Sequence, residues 1–342
     1  MYVKVFMNSA GHNLEREVLR SMYTGINDEI RGEYAGLTKD ERKEIKNLDK
    51  EMGVKRGVVY EYDEEYRSCD VAVFLGSWKP DRERTWHKTR TSIKQNATNF
   101  VVLETPLLGR AVFEPNAHYR VGINGFLNRD ALWGDNVDRP SDRWESLGIK
   151  YDGWKNNKGN AGKIVIALQL AGDASLRNCN INEWCMDTVR ALRVHTDRPI
   201  EIRTHPGVSE KGMGNHEELF KAFAFANFKD VTFINGKEVP WQEHIKDAYC
   251  VVSYSSGMSI DAVINGVPVI AVDEGNFAYN VGETKLKNIE SLNLAPEPEV
   301  LQWLYNLAYC QWTPSEMEDG TCWRHLKPTL NRLVAENKNA SS

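Results

Sequence analysis

Tyr249–Asp273 has the sequence YCVVSYSSGMSIDAVINGVPVIAVD, and this stretch decides the fold. Residues 249–254 form an apolar run of strand length that ends at two serines and a glycine. A helical stretch, Met258–Asn265, follows, and Gly266 suits the position just after the end of a helix. Pro268–Val272 is a second apolar run. Strand, helix and strand in this order predict a parallel β-α-β unit.

The same alternation extends over the rest of the chain. The other predicted strands are Tyr2–Met7, Val58–Tyr62, Asp70–Leu75, Phe100–Leu103, Lys163–Leu168, Ile200–Thr204 and Val231–Ile234. Helical spacing separates most of them, as in His12–Gly25 and Thr85–Ala97. The stretch 134–162 is rich in Gly, Asn, Asp, Trp and Pro, so we interpret it as interdomain. We therefore predict an α/β fold with two Rossmann-like, doubly wound domains.

The predicted domain boundaries follow from that segment. The N-terminal domain spans 1–155 and the C-terminal domain spans 156–320. The remaining residues, 321–342, are expected to form a C-terminal helix and tail that pack back on the first domain.

Size and composition limit the classes of protein that fit. A length of 342 residues favours two domains, and 41% hydrophobic with 27% charged residues is ordinary for a globular protein. There is no apolar run of about 18 residues and no signal-peptide pattern, so we expect a cytoplasmic protein without a membrane span. The net charge of −5 argues against a protein that coats nucleic acid by bulk charge. The six cysteines are scattered without a CxxC spacing, so they predict no metal site.

Polar residues follow the predicted strands of the second half at the edge where such sheets bind ligands. Ser255, Ser256 and Gly257 end one strand and precede a helix, where hydroxyls and free backbone N–H groups suit a phosphate. His205 ends another strand, and Pro206 fixes the turn that directs it. The alternative is a helix cap with an exposed histidine, since serine caps many helices.

The two segments together resemble a known group. THP at 204–206 and SYSSGMSIDAVINGVPVIAVD at 253–273 are similar to the HP and SS motifs of bacterial GT-B glycosyltransferases. That group includes capsule polysaccharide, Kdo and sialyl- or polysialyltransferases. The resemblance covers about the second half of the chain. It implies two Rossmann-like domains facing a central cleft, and a UDP- or CMP-sugar donor whose phosphates are held by His205, Ser255 and Ser256.

Two further residues extend the predicted donor site. Glu274, in an acidic turn after the last strand, is a candidate for binding a ribose or sugar hydroxyl. Arg203 could pair with phosphate, or it could form a structural ion pair within its strand. No DxD-like motif is evident, so we expect transfer without a metal ion.

The first half supplies candidates for the general base. Glu104 follows a buried strand, where an inverting transferase would place the group that takes the acceptor proton. The strand, acidic residue and proline loop resemble the region of the base in phage DNA β-glucosyltransferases. His12 is the competing base and Asp81 is the third candidate. The structural alternative for Glu104 is a cap or an ion pair with Arg110.

The segment 78–95 has the sequence WKPDRERTWHKTRTSIKQ, with six basic residues against two acidic ones. Basic groups with interspersed aromatic rings suit a phosphate backbone and an unstacked base. The alternative is a solvated helix face whose tryptophans pack inward. The acceptor-binding candidates in this segment are Trp78, Arg82, Arg84, Trp86, Lys88 and Arg90.

Three functions are compatible with these features. The first is a glycosyltransferase that decorates a hydroxylated or hydroxymethylated pyrimidine in phage DNA, in the cytoplasm of the bacterial host. The tract 118–130 (HYRVGINGFLNRD) also resembles phage proteins. The second is a transferase that builds a surface polysaccharide, such as a capsule or lipopolysaccharide. The third is a non-catalytic nucleotide- or DNA-binding protein with a GT-B shell, because a fold alone does not establish chemistry.

Overall fold

The computed structural model describes residues 1–7, 13–51, 57–61, 66–78, 85–109, 117–134, 136–155, 162–207 and 216–340. The strands are β1 (Tyr2–Phe6), β2 (Gly57–Glu61), β3 (Val71–Leu75), β4 (Phe100–Glu104), β5 (Tyr119–Ile123), β6 (Lys163–Ala167), β7 (Ile200–Arg203), β8 (Val231–Ile234), β9 (Ala248–Ser253), β10 (Val269–Ala271) and β11 (Gln311–Trp312). The helices are α1 (Asn13–Ala35), α2 (Lys39–Glu51), α3 (Thr85–Asn96), α4 (Asp142–Ser146), α5 (Ile181–Arg193), α6 (Glu217–Ala226), α7 (Trp241–Ile245), α8 (Met258–Ile264), α9 (Glu297–Ala308), α10 (Pro314–Glu318) and α11 (Thr321–Ala340).

The chain divides into two compact units. Unit 1 comprises Met1–Phe126, Asp130–Pro140 and Asn306–Ser342, and unit 2 comprises Leu127–Arg129 and Ser141–Tyr305. These limits differ from the boundaries expected at 155 and 320. Two contacts explain the difference: Trp154 donates a hydrogen bond to the Ala295 carbonyl within unit 2 (2.8 Å), and β11 pairs with β5 in the sheet of unit 1.

The sheet of unit 1 has six strands in the spatial order β2-β1-β3-β4-β5-β11. The first four are parallel, whereas β5 and β11 are antiparallel additions at one edge. The sequence did not predict either antiparallel strand. Asn124, directly after β5, adopts a left-handed backbone with φ 61°. Its side-chain oxygen also accepts the Phe100 N–H at 2.8 Å, and this hydrogen bond links the end of β5 to the first residue of β4.

The sheet of unit 2 is entirely parallel, with the spatial order β8-β7-β6-β9-β10. Counted along the chain within the unit, the strands lie in the order 3-2-1-4-5, which is the Rossmann arrangement. The strand order reverses between β6 and β9. The structure therefore confirms the predicted fold class, an α/β chain with two Rossmann-like units of the kind that make up the GT-B class.

Each unit has its own apolar core. In unit 1, Val3, Val73 and Val101 of adjacent strands pack with helix residues, including Met22 of α1 and Trp323 of α11. In unit 2 the core joins strand residues of β6, β7 and β9 to the apolar face of α5. Burial on both faces of a parallel sheet explains why the strands appear in the sequence as nearly continuous apolar runs. Within the described residues, no helix combines the length and the apolar character needed to cross a bilayer.

Two glycines of α1 have contrasting surroundings. A Cβ on Gly25 would lie 1.9 Å from the Met317 carbonyl oxygen and 3.0 Å from Cα of Gly320, so the helix packs against a backbone that cannot easily move aside. A Cβ on Gly32, two turns further along, would meet no atom within 4 Å. Gly25 is therefore needed for close packing, and Gly32 is not.

We expect Gly25→Ala to lower the melting temperature, with an overpacking cost of about 1–3 kcal/mol that exceeds the gain in helix propensity. Gly32→Ala is the matched control in the same helix, and we expect it to be neutral or to stabilise by up to about 1 kcal/mol. Thermal and urea unfolding of both variants measures the difference. Equal effects of the two substitutions would contradict the packing argument.

Candidate functional site

The carboxyl ends of the unit 2 strands share one edge of the sheet, because all five strands are parallel. β6 lies between β7 and β9, and the strand order reverses at the β6/β9 boundary. Ligands of doubly wound sheets bind outside the strand ends at such a reversal. Gln169 follows β6, His205 follows β7 and Ser255 follows β9, so all three residues come from this edge.

Gln169 and Ser255 connect the two strand ends at the reversal. The Ser255 N–H donates to Gln169 Oε1 at 3.0 Å, and Gln169 Nε2 donates to Ser255 Oγ at 3.0 Å. Gln169 Nε2 also donates to Ser175 Oγ at 2.6 Å, and Ser255 Oγ–H donates to the Ser175 carbonyl at 2.6 Å. Both Gln169 and Ser255 are buried. The Ser255 hydroxyl therefore serves to fix the turn.

Ser256 and Gly257 are partly exposed, unlike Ser255. Ser256 Oγ accepts the Met258 N–H at 3.2 Å, beside the first residue of α8. Gly257 has φ −61°, which any residue can adopt, so its conformation does not require glycine. The roles of Ser255, Ser256 and Gly257 in holding donor phosphate remain predictions.

Asn276 holds the same turn in place through hydrogen bonds of its side chain. Its Nδ2 donates to Ser253 Oγ at 2.8 Å and to the Tyr254 carbonyl at 3.1 Å. Its Oδ1 accepts from Ser259 Oγ at 2.7 Å and from the Ala278 N–H at 3.0 Å. The side chain is fully buried, and these bonds satisfy its amide. One asparagine thus fixes the end of β9 and the first turn of α8, and no local sequence pattern indicates this role.

His205 is partly exposed at the end of β7. Its Nδ1 accepts the Gly207 N–H at 3.0 Å. With Nδ1 accepting this bond, the ring can donate from Nε2. Such a donor suits a phosphate or hydroxyl oxygen, and this role also remains a prediction.

His216 lies close to His205 and is fully buried. Its Nδ1 lies 2.7 Å from Asn182 Oδ1, which favours a proton on Nδ1. Its Nε2 has no hydrogen-bond partner among the described residues. Burial, and to a smaller extent His205, lowers the pKa of His216 below its usual value. As an isolated histidine, it carried no sequence signal.

Arg203 and Glu274 have surroundings that bear on their predicted donor contacts. Arg203 is buried, and its guanidinium donates to the Gly236 carbonyl at 3.0 Å and lies 3.4 Å from His244 Nδ1. These contacts direct the guanidinium into the protein, although they are not the ion pair that was the structural alternative. The predicted phosphate contact of Arg203 therefore has no place in the proposed donor site. Glu274 is exposed and pairs with Arg129 at 3.2 Å. Its proposed contact with a sugar hydroxyl stays a prediction.

Arg177 and Asp273 form an ion pair at this edge. Arg177 Nη2 donates to both carboxylate oxygens of Asp273, at 2.5 and 2.6 Å. Asp273 follows β10, and Arg177 follows the short 3-10 turn Ala174–Leu176 after β6. The two residues are 96 positions apart, so no local pattern could have indicated the pair.

In unit 1, charged side chains gather at the carboxyl ends of the parallel strands. Glu104, at the end of β4, has a side chain that is 18% exposed and lies 3.8 Å from Arg120. Arg90 of α3 pairs with Glu15 of α1 at 3.5 Å, and burial lowers the pKa of Arg90. Glu104 is therefore partly accessible, but it already has a cationic neighbour.

The basic and aromatic segment is described only in part. Trp78 packs edge-on against Phe100 and Phe126, and Lys94 lies 5.3 Å from the centre of its ring. These contacts favour a structural role for Trp78 over a platform for an unstacked base. Lys88 is exposed. His12, Asp81, Arg82, Arg84 and the side chain of Trp86 lie outside the described residues.

Solved structures with a similar fold are distant from this chain. The β-Kdo 2,7 transferase KpsC of Thermosulfurimonas dismutans is 14% identical, with 94% of this chain and 99% of that chain covered and a TM-score of 0.48. The KpsC β-Kdo 2,4 transferase of the same organism is also 14% identical. The match covers 87% of this chain and 96% of that chain, with a TM-score of 0.47. The UDP-GlcNAc 2-epimerase of Methanocaldococcus jannaschii, in complex with UDP-GlcNAc and UDP, is 11% identical. The match covers 95% of this chain and 99% of that chain, with a TM-score of 0.31.

No protein-family model and no curated protein matches the chain. At these identities and TM-scores the likenesses establish no family, and the fold assignment rests on the strand order. Among the described residues, no group of three or more His, Cys, Asp or Glu side chains is arranged to hold a metal ion.

The buried His216 generates a prediction about pH. Its folded-state pKa lies below the unfolded value of about 6.5, so the unfolded chain takes up the proton first as the pH falls. The stability contributed by neutral His216 is present above pH ~6.5 and is lost progressively below it. We expect the wild type to lose more melting temperature between pH 7.5 and 5.5 than His216→Gln does. The exposed His195→Gln is the control, and a pH response of His216→Gln equal to that of the wild type would contradict the prediction.

Proposed function

We propose that this protein is a glycosyltransferase that binds a nucleotide sugar at the carboxyl edge of the unit 2 sheet. The observation that carries the proposal is the position of three strand-end loops at the β6/β9 reversal. Gln169, His205 and Ser255 follow three adjacent strands there, and the bonds between Gln169 and Ser255 fix two of those loops. Doubly wound sheets bind nucleotides at this position.

The donor phosphates would contact the exposed side of these loops. His205 contributes its Nε2–H, and the 256–257 turn contributes hydroxyl and backbone groups. Ser255 acts indirectly, because its hydroxyl is already bonded to the Ser175 carbonyl. A site whose donors are held by other hydrogen bonds stabilises developing charge without first reorganising.

The proposed reaction is the displacement of a nucleotide by a hydroxyl group. The acceptor oxygen bonds to the anomeric carbon as the bond from that carbon to the donor phosphate oxygen breaks. The bonding electron pair leaves with the phosphate, and the hydroxyl proton passes to a general base. Glu104 is the proposed base, since it ends β4 and is partly accessible; His12 is the alternative.

The acceptor proposed for the first test is a hydroxymethylated pyrimidine in DNA, on the strength of the basic segment around Lys88. The packing of Trp78 against two phenylalanines weakens this choice, because that ring is engaged within unit 1. A surface glycan is the second candidate, and it needs no platform for an extruded base. Both acceptors offer a hydroxyl group to the same reaction.

A transfer assay tests the proposal. The protein is incubated with UDP-, CMP- and GDP-sugars and with plain DNA, hydroxymethylated DNA or glycan acceptors, and the products are analysed by mass spectrometry. A sugar on the modified nucleoside alone supports the DNA acceptor, and a glycan product alone supports the second candidate. Nucleotide binding without any product would support a non-catalytic binder, and the absence of both would end the proposal.

His205→Ala is expected to weaken binding of the donor nucleotide by about 10- to 100-fold, because a donor to a charged oxygen is lost. The affinity for the matching nucleoside, which has no phosphate, should change little. Isothermal titration calorimetry with both ligands measures the effect. His195→Ala, at an exposed position in the same unit, is the control, and unchanged nucleotide affinity in His205→Ala would remove His205 from the site.

Glu104→Gln is expected to lower kcat by at least about 100-fold while leaving donor affinity unchanged, because the amide cannot accept the proton. Glutamine keeps the size of the side chain, which limits the disturbance near Arg120. Glu17→Gln, at an exposed position on α1, is the matched control. Full turnover in Glu104→Gln would reject this base and direct the same test to His12→Ala.

A further inference from the structure

The ion pair between Arg177 and Asp273 is connected to the proposed donor turn on both sides. Ser175, two residues before Arg177, accepts the Ser255 hydroxyl at its carbonyl oxygen. Asp273 interacts with Tyr254, the residue before Ser255, and burial together with this carboxylate raises the pKa of Tyr254 to about 12. Arg177 therefore belongs to the framework that positions the turn, although it lies far from the turn in sequence.

The backbone at Arg177 is costly to maintain. Arg177 has φ 49° and ψ 43°, and Asn178 has φ 69°, so two consecutive residues adopt the left-handed conformation. Asparagine tolerates this region more readily than arginine does. A glycine or asparagine would fit position 177 with less strain. The presence of arginine at this position is therefore explained by its side chain and not by its backbone conformation.

The accessibilities of the two partners differ. The Arg177 side chain is 35% exposed, whereas that of Asp273 is 12% exposed. Asp273 also accepts the Gly275 N–H at 2.7 Å, so its position is fixed independently of the arginine. The Asp273 carboxylate binds the guanidinium, and the exposed part of the Arg177 side chain is accessible to a ligand.

The other proposed phosphate contacts supply no permanent positive charge. His205 presents its Nε2–H, Ser256 presents a hydroxyl, and Arg203 is directed inward to the Gly236 carbonyl. A leaving nucleotide gains negative charge as the glycosidic bond breaks, and a guanidinium is well suited to phosphate oxygens.

We propose that Arg177 binds the phosphate of the donor and stabilises the charge that develops on it, and that Asp273 is a positioning residue for Arg177. This inference rests on the proposed function. It assigns the cationic contact of the leaving group to a residue outside the HP and SS segments.

Calorimetry with UDP, GDP and CMP, and with the corresponding nucleosides, tests the inference. Arg177→Asn is the main variant, because asparagine removes the charge and still tolerates the left-handed backbone. We expect its affinity for the bound nucleotide to fall by about 10- to 100-fold, with nucleoside affinity unchanged. Arg177→Lys should recover part of the loss, and Asp273→Asn should give a smaller, phosphate-dependent loss. Arg190→Asn, which removes an exposed arginine paired with Asp187, is the matched control.

The outcomes separate the inference from the function on which it rests. If the wild type binds none of the nucleotides, the proposed function fails. If the wild type binds one and Arg177→Asn behaves like Arg190→Asn, the inference is overturned and the function stands. Equal losses of nucleotide and nucleoside affinity would show a purely structural role and would also overturn it. If Arg177→Asn does not fold, the comparison of Arg177→Lys and Asp273→Asn with the wild type provides the same phosphate-dependent readout.

Discussion

The candidate site depends on the pair of hydrogen bonds between Gln169 and Ser255. These bonds join the loops after β6 and β9 where the strand order reverses, and both partners are buried. A buried amide left without partners would cost about 1–3 kcal/mol, so the two loops are strongly coupled. Because the Ser255 hydroxyl is directed to the Ser175 carbonyl, the following residues, Ser256 and Gly257, are the ones that remain accessible.

Much of the fold could be predicted because its main strands are buried and parallel. Such strands form apolar runs of five or six residues, and both β6 and β9 stand out in the sequence for that reason. The antiparallel strands could not be predicted in the same way. β5 contains Arg120 and Gly122, and β11 has only two residues, so neither forms a distinctive run. Their place at the sheet edge depends on contacts made across long sequence separations.

The site was less predictable than the fold, because its partners are distant along the chain. Sequence patterns indicated which loops lie at the ligand edge, but they could not show that Ser255 bonds to Gln169, 86 residues away. They also could not show that Arg203 is directed inward or that Asn276 supports the serine turn. A residue type at a strand end indicates chemistry that is possible there. Whether its polar atoms are available to a ligand is decided by tertiary hydrogen bonds.

The distribution of charge at this edge has a physical consequence for ligand binding. A cation in a partly buried position loses part of its hydration, and a paired carboxylate offsets the free-energy cost of that loss. Asp273 has this role for Arg177. An arriving phosphate would approach the exposed part of the Arg177 side chain, which is 35% exposed although it is paired with Asp273. The proposed contacts from His205 and Ser256 would add direction to phosphate binding. The proposed site would then bind an anion without holding an unpaired buried cation in the free protein.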